Sequence, residues 1–231
     1  MLRELRQLLA ACPPNADMEQ YRTAIVDDNV LLKKTLSTRR ESFRRLRELY
    51  ALHPAVLLFS ALRELWDADV EAQPLLALLC SSARDPILRA TASVISIPLG
   101  SPVNPHMISK ATSEAFPDRY NPTMLANVGR HAASSWEQSG HLQGRLTKVR
   151  ARATSRPTAV AYALLLGYLC GARGEALFQT FWAQLLDAPP DVLHAQAVAA
   201  SQQGWLEYRR GGDVTDISFY HFLAGRILHS E

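Results

Sequence analysis

The sequence predicts a mostly α fold, an all-helical globular protein that carries short β wings. Leu and Ala dominate the 231 residues and only 11 are Gly, a composition that favours helices. Capping residues, prolines in first turns and terminal glycines recur at intervals of about one helix length. The hydrophobic share of 48% and the charged share of 20% are ordinary for a globular protein.

Residues 1–103 predict an N-terminal helical part. Its first helix carries a leucine face and ends at Pro13, and Asp17 with Gln20 predicts the cap of the second. Thr38 with Glu41 fits a capping box for the third helix, and Pro54 fits the first turn of the fourth. The predicted helices are 1–11, 17–26, one that begins at 38 and includes 50, 54–69, 72–83 and 85–97.

The third helix lies in the most basic stretch of the chain. Residues 31–47 hold seven basic residues and one acid, although the whole chain carries only +3. Because unpaired cations are not buried, this cluster must face water or a polyanion such as a phosphate backbone. A solvated helix face is the alternative interpretation. The predicted nucleic-acid-binding residues here are Lys33, Lys34, Arg39, Arg40, Arg44, Arg45 and Arg47.

Residues 104–157 predict a first winged helix-turn-helix-like unit. It follows a linker over 100–105 and consists of a helix over 105–116, a second helix from Pro122 to Gln138 and a basic strand-like segment. Helix, turn, helix and β segment is the order of a winged helix, in which the second helix contacts bases. The predicted nucleic-acid-binding residues are Asn127, Arg130, Arg145, Lys148, Arg150, Arg152 and Arg156.

Residues 158–231 predict a second unit of the same kind. An apolar helix over 158–172 is shorter than a membrane span and is expected in the core. Helices over 174–187 and 191–203 follow, and then a strand, a tight turn over 211–213 and another strand. Helix 191–203 has no Lys or Arg, which suits a partner protein better than DNA.

Signatures of catalysis, cofactor binding and metal binding are missing from the sequence. No P-loop, GxGxxG, HExxH or GxSxG motif occurs, and no two histidines stand at helical ligand spacing. The three cysteines are far apart and form no CxxC pair, so reduced thiols are expected. We therefore expect a cytoplasmic, non-enzymatic protein with no cofactor, no metal, no membrane association and no small-molecule substrate.

Within 24–40 an isoleucine, an asparagine, a leucine, a Ser/Thr pair and arginines follow one another, and a Leu-Arg-Glu-Leu-Tyr segment stands at 46–50. In this order the residues resemble the opening of the domain in the BrxA family of bacteriophage exclusion (BREX) defence systems. The later segments that look similar are 75–79, 85–88, 121–126, 158–172 and 181–182. The resemblance covers nearly the whole chain and implies an all-helical fold with helix-turn-helix elements, association with DNA and a role in phage resistance.

These observations predict a component of a BREX-type antiviral defence system that binds double-stranded DNA. Other proteins of that system are expected as further partners. Two alternatives remain open. An older suggestion for the BrxA family, a NusB-like antiterminator fold, implies RNA binding instead. The helix of the second unit that has no Lys or Arg fits a protein-interaction scaffold within the defence complex.

Overall fold

The protein is mostly helical, with two small antiparallel sheets. The computed structural model describes residues 1–212 and 214–224. In the N-terminal part, helices pack around a leucine-rich core, and a short 3-10 helix, Thr91–Ser96, ends this part. The helices are α1 (Leu2–Ala11), α2 (Met18–Val26), α3 (Leu36–Tyr50), α4 (Leu57–Trp66), α5 (Gln73–Arg84) and α6 (Pro86–Ala90).

The N-terminal caps correct two predicted helix starts. The capping box of Asp17 and Gln20 is confirmed at α2. At α3 the predicted box of Thr38 and Glu41 is wrong, because Thr35 caps the helix and Thr38 completes the box from the third position. Glu41 is thereby left free to pair with arginines on the next turn. Helix α4 begins at Leu57 rather than at Pro54.

The first winged unit has a three-stranded sheet beside two helices. Its elements are β1 (Pro102–Val103), α7 (Pro105–Ala115), α8 (Pro122–Gln138), β2 (Leu142–Gln143) and β3 (Lys148–Arg150). Strand β3 pairs antiparallel with both β1 and β2, which gives the order β1-β3-β2. The segment predicted as a linker over 100–105 therefore contains a strand. This strand belongs to the first unit, although the boundary predicted after residue 103 leaves it in the N-terminal part.

Close packing of α7 on α8 depends on Gly129. A Cβ atom at this position would lie 2.3 Å from the carbonyl oxygen of Pro105, so only glycine allows the approach. Near the C-terminal end of α8 the fully buried Trp136 donates its indole N–H to Oγ1 of Thr91, at 2.8 Å. These contacts fix α8 against both its neighbour helix and the N-terminal part.

The second winged unit is built around a buried central helix. Every residue of 158–167 is buried, as predicted for the apolar helix. The predicted helix over 174–187 is wrong, because a 3-10 helix, Gly174–Gln179, ends where the Thr180 hydroxyl caps a new short helix. The elements are α9 (Pro157–Leu169), α10 (Phe181–Gln184), α11 (Pro190–Gln202), β4 (Glu207–Gly211), β5 (Val214–Ser218) and α12 (Tyr220–Leu223).

Strands β4 and β5 form the hairpin of the second unit, with Glu207 opposite Ser218 and Gly211 opposite Val214. Of the turn predicted over 211–213, Asp213 lies outside the described residues. Within 1–212 and 214–224, no helix combines the length and the apolar character that crossing a membrane would require.

Candidate nucleic-acid interface

Helix α3 buries one side and exposes most of its basic residues. Leu46 and Tyr50 are buried in the core and Phe43 packs against it, as the apolar stripe predicts. Lys34 and Arg40 are exposed, and within the described part of the chain they have no ion-pair or hydrogen-bond partner. These two cations are therefore available to an external anion.

Two other arginines of α3 are neutralised by glutamates of the same helix. Arg44 bonds to Glu41 at 2.7 Å and to Glu48 at 2.6 Å, and Nε of Arg45 lies 2.6 Å from Glu41. Hydrogen bonds from Arg44 and Arg45 lower the pKa of Glu41 to about 2, so its carboxylate stays charged. A phosphate would have to compete with these carboxylates for both arginines.

The remaining basic residues of this cluster stabilise the α3 region from within the protein. Nζ of Lys33 lies 3.1 Å from Glu4 of α1, and Arg39 donates to the carbonyl oxygen of Val26, at the end of α2, at 3.2 Å. The guanidinium of Arg47 stacks 5.7 Å from the centre of the Phe43 ring. Three residues of the basic cluster therefore make contacts within the protein that stabilise the fold, independently of any ligand.

In the first winged unit, the predicted polar residues of α8 stand together on its surface. Arg130 is exposed and donates a hydrogen bond to Oδ1 of Asn127, one turn earlier. On the wing side, Arg145 and Arg152 are exposed, and neither has a partner among the described residues. Four predicted contacts of this unit are therefore accessible to a ligand.

Lys148 and Arg156 are partly committed to carboxylates of the protein. Nζ of Lys148 lies 2.5 Å from Glu137 of α8 and donates to the carbonyl oxygen of Gly144 at 2.7 Å, which fixes the wing to α8. Arg156 lies 2.9 Å from Asp69 and 3.2 Å from Glu71, beyond α4. These carboxylates partly neutralise the positive charges of Lys148 and Arg156 in the absence of a ligand.

The prediction that Arg150 binds nucleic acid is wrong. Its side chain is only 2% exposed, and its two terminal nitrogens each bond at 2.8 Å to Asp187, which follows α10. It also donates to the carbonyl oxygen of Ile95 at 3.1 Å. Strand alternation turns residue 150 inward, so this arginine joins the two winged units and cannot reach a phosphate.

A buried histidine lies beside this ion pair. His141 Nδ1 is 2.8 Å from the hydroxyl of Ser139, and Nε2 is 3.1 Å from the carbonyl oxygen of Leu185. A carbonyl oxygen only accepts, so Nε2 carries the proton, and Nδ1 and the carbonyl oxygen of Trp136, 3.0 Å from the Ser139 hydroxyl, share that hydroxyl's single hydrogen. Burial lowers the pKa of His141 to about 4, and the neutral ring therefore bridges the two units at physiological pH.

Two hollows border α8. A cleft of about 460 Å³ separates α8 from α3 and is lined by Arg44, Arg45 and His131 among other residues. A second hollow, of about 340 Å³, lies between α8 and the wing and is lined by Arg130 and Lys148. Basic residues of α3 therefore border one hollow beside α8, and basic residues of α8 and the wing border the other.

The three parts of the chain differ in charge. Residues 1–103 have 13 basic and 12 acidic residues, 104–157 have eight and three, and 158–231 have four and seven. The chain has no acidic residue between Glu137 and Glu175. The positive charge is therefore concentrated in the first winged unit.

Sequence reasoning missed one basic residue of this surface. Arg119 is exposed in the turn between α7 and α8, where its guanidinium lies 5.6 Å from the Phe116 ring centre and 5.7 Å from that of Tyr120. Its position beside a helix-turn-helix turn is the signal that could have identified it, since turns and helix starts approach the backbone in such units.

The two unpaired cations, Lys34 just before α3 and Arg40 in its first turns, provide a direct test of the role of this region. We expect Lys34→Glu with Arg40→Glu to weaken duplex-DNA binding at least tenfold, about 1.4 kcal/mol, because both reversals repel phosphate. Fluorescence anisotropy with a labelled duplex measures this, and circular dichroism checks the fold. Unchanged binding would identify this side of α3 as a solvated face.

In the described part of the chain, no three His, Cys, Asp or Glu side chains are grouped so as to hold a metal ion. Comparison of the sequence and the structure with protein-family models, curated proteins and solved structures found no match.

Proposed function

We propose that this protein binds double-stranded DNA through its first winged unit and acts without catalysis of its own. The observation that carries the proposal is the concentration of positive charge in 104–157 on a helix, helix and wing arrangement. Phosphate contacts supply most of the affinity of such a surface, and a helix beside a wing fits the grooves of a duplex.

The arrangement of α8 supports its role as the helix that contacts DNA. Its buried side is anchored by Gly129 and Trp136, whereas its first half is largely exposed and carries Asn127 and Arg130. Asparagine pairs with adenine and arginine with guanine in the major groove. Few such residues are available, so we expect binding with weak sequence preference.

The second winged unit supports a protein-interaction role in the same molecule. On α11, Val192 and Val198 are exposed and the charged side chain is Asp191. Of the two arginines on β4, Arg209 already bonds to Glu207, at 3.3 Å. A surface of this kind suits a partner protein better than a phosphate backbone, which fits the proposed place of the chain in a cytoplasmic BREX-type assembly.

The salt dependence of binding tests the proposal. We expect log affinity for duplex DNA to fall linearly with log salt, with a slope of about −0.9 for each phosphate neutralised, because binding releases counterions. Duplex DNA, duplex RNA and single strands of equal length should be compared at each salt concentration. Equal affinity at low and high salt would contradict the proposal, and tighter binding of duplex RNA would favour the RNA-binding alternative.

A further inference from the structure

The tip of the first wing exposes a large apolar side chain. Leu146 is 98% exposed and lies between β2 and β3, beside the exposed Arg145. The side chain does not pack against the hydrophobic core, so the fold does not explain a leucine at this position. A polar residue would be expected at a hairpin tip in water.

The wing holds this leucine on a rigid support. Gly144 has φ of +104°, and a Cβ atom there would lie 2.2 Å from the carbonyl oxygen of Thr147, so the turn is tight. Lys148 stabilises the other side of this turn through its bonds to Gly144 and Glu137. At the base, Arg150 is fixed to Asp187. The tip therefore projects in a defined direction.

The hollow between α8 and the wing indicates what the tip would meet. Arg130 from α8 and Lys148 and Leu146 from the wing line its opposite sides, and its volume is about 340 Å³. In a duplex, one sugar–phosphate strand separates the major groove from the minor groove. If α8 enters the major groove, this strand occupies the hollow and the tip reaches the adjacent minor groove.

We propose that Leu146 acts as an apolar wedge in the minor groove, where it partly unstacks one base step and bends the duplex. This inference rests on the proposed function and adds that the protein prefers DNA that bends easily. Proteins that bend DNA from the minor groove insert apolar side chains between base steps, beside arginines that contact the groove. Arg145 and Leu146 together supply both groups. Flexible pyrimidine–purine steps are then preferred to stiff A-tracts, since they unstack at lower cost.

Energy transfer between dyes on the two ends of a duplex of about 30 base pairs tests the wedge. One duplex carries a single central TA step between stiff flanks and a second lacks it. With saturating wild-type protein we expect a bend of about 20–90° in the first duplex. Leu146→Ala should reduce this bend by more than half and weaken binding about threefold to tenfold, because the wedge and its contacts are lost.

Val214→Ala is the matched control. Val214 is also an exposed apolar residue of a wing, 70% exposed, but it belongs to the acidic second unit, so the bend should stay at the wild-type value. Both replaced side chains are exposed, and thermal melting verifies that the variants fold. A wild-type protein that binds without bending, or a Leu146→Ala variant that bends fully, overturns the wedge while DNA binding stands. A wild-type protein that binds no duplex overturns the proposed function itself.

Discussion

Replacing Arg150 by Ala is expected to lower the free energy of unfolding by about 3–5 kcal/mol. The change leaves Asp187, only 12% exposed, without its bidentate partner, and it removes the bond to Ile95. It therefore removes the side-chain bonds by which Arg150 links the first wing to the N-terminal part and to the second unit. Denaturation in urea, followed by circular dichroism, measures the loss.

Arg152→Ala is the control for this prediction. Arg152 lies two residues further along, beyond the end of β3, but it is exposed and has no partner in the described structure, so its loss should change stability by less than about 0.5 kcal/mol. A similarly small loss for Arg150→Ala would show that the buried pair contributes little. A folded, stable Arg150→Ala variant that loses DNA binding would show that Arg150 belongs to the DNA interface.

Reversing two charges of the first winged unit is expected to weaken duplex-DNA binding at least tenfold and up to about a hundredfold, or 1.4–2.7 kcal/mol. The variant is Arg130→Glu with Arg145→Glu. Both side chains are exposed, one on α8 and one at the wing tip. Each reversal removes a phosphate contact and adds repulsion of the same phosphate. Anisotropy titration at fixed salt measures the change.

The second wing provides a control with the same change in net charge. Arg209→Glu with Arg210→Glu alters two exposed arginines in a unit that already carries an excess of acids. We expect at most about a threefold loss of affinity, because long-range repulsion alone is screened by salt. A larger loss from the 209 and 210 pair than from the 130 and 145 pair would reverse the assignment of the DNA-facing unit.

Local patterns in the sequence were sufficient to predict most of the helices. Proline and asparagine caps placed the starts of α7 and α8 correctly, and the leucine spacing of α1 was sufficient to identify its buried face. Such signals act over one or two turns, so the residues that produce them are neighbours in the chain. The same holds for the basic run around α3 and for the contrast in charge between the two winged units.

Such local patterns could not predict contacts between residues that are far apart in the sequence. The pairing of β1 with β3 joins segments more than 40 residues apart, so a two-residue strand looked like a linker. The predicted start of α3 was wrong because Thr38 with Glu41 matches the capping-box pattern, whereas in the structure Thr35 caps the helix and Thr38 stands at its third position.

The sequence by itself determined the helical class, the order of most of the helices and the location of the positive charge, because each depends on composition or near neighbours. Only the tertiary structure decided which cations are free. Arg150 and Arg152 are indistinguishable by type, but the first is buried and paired with a carboxylate 37 residues further along, whereas the second lies beyond the end of β3 and is exposed. Charge is a property of a residue, whereas its availability to a ligand depends on what folds against it.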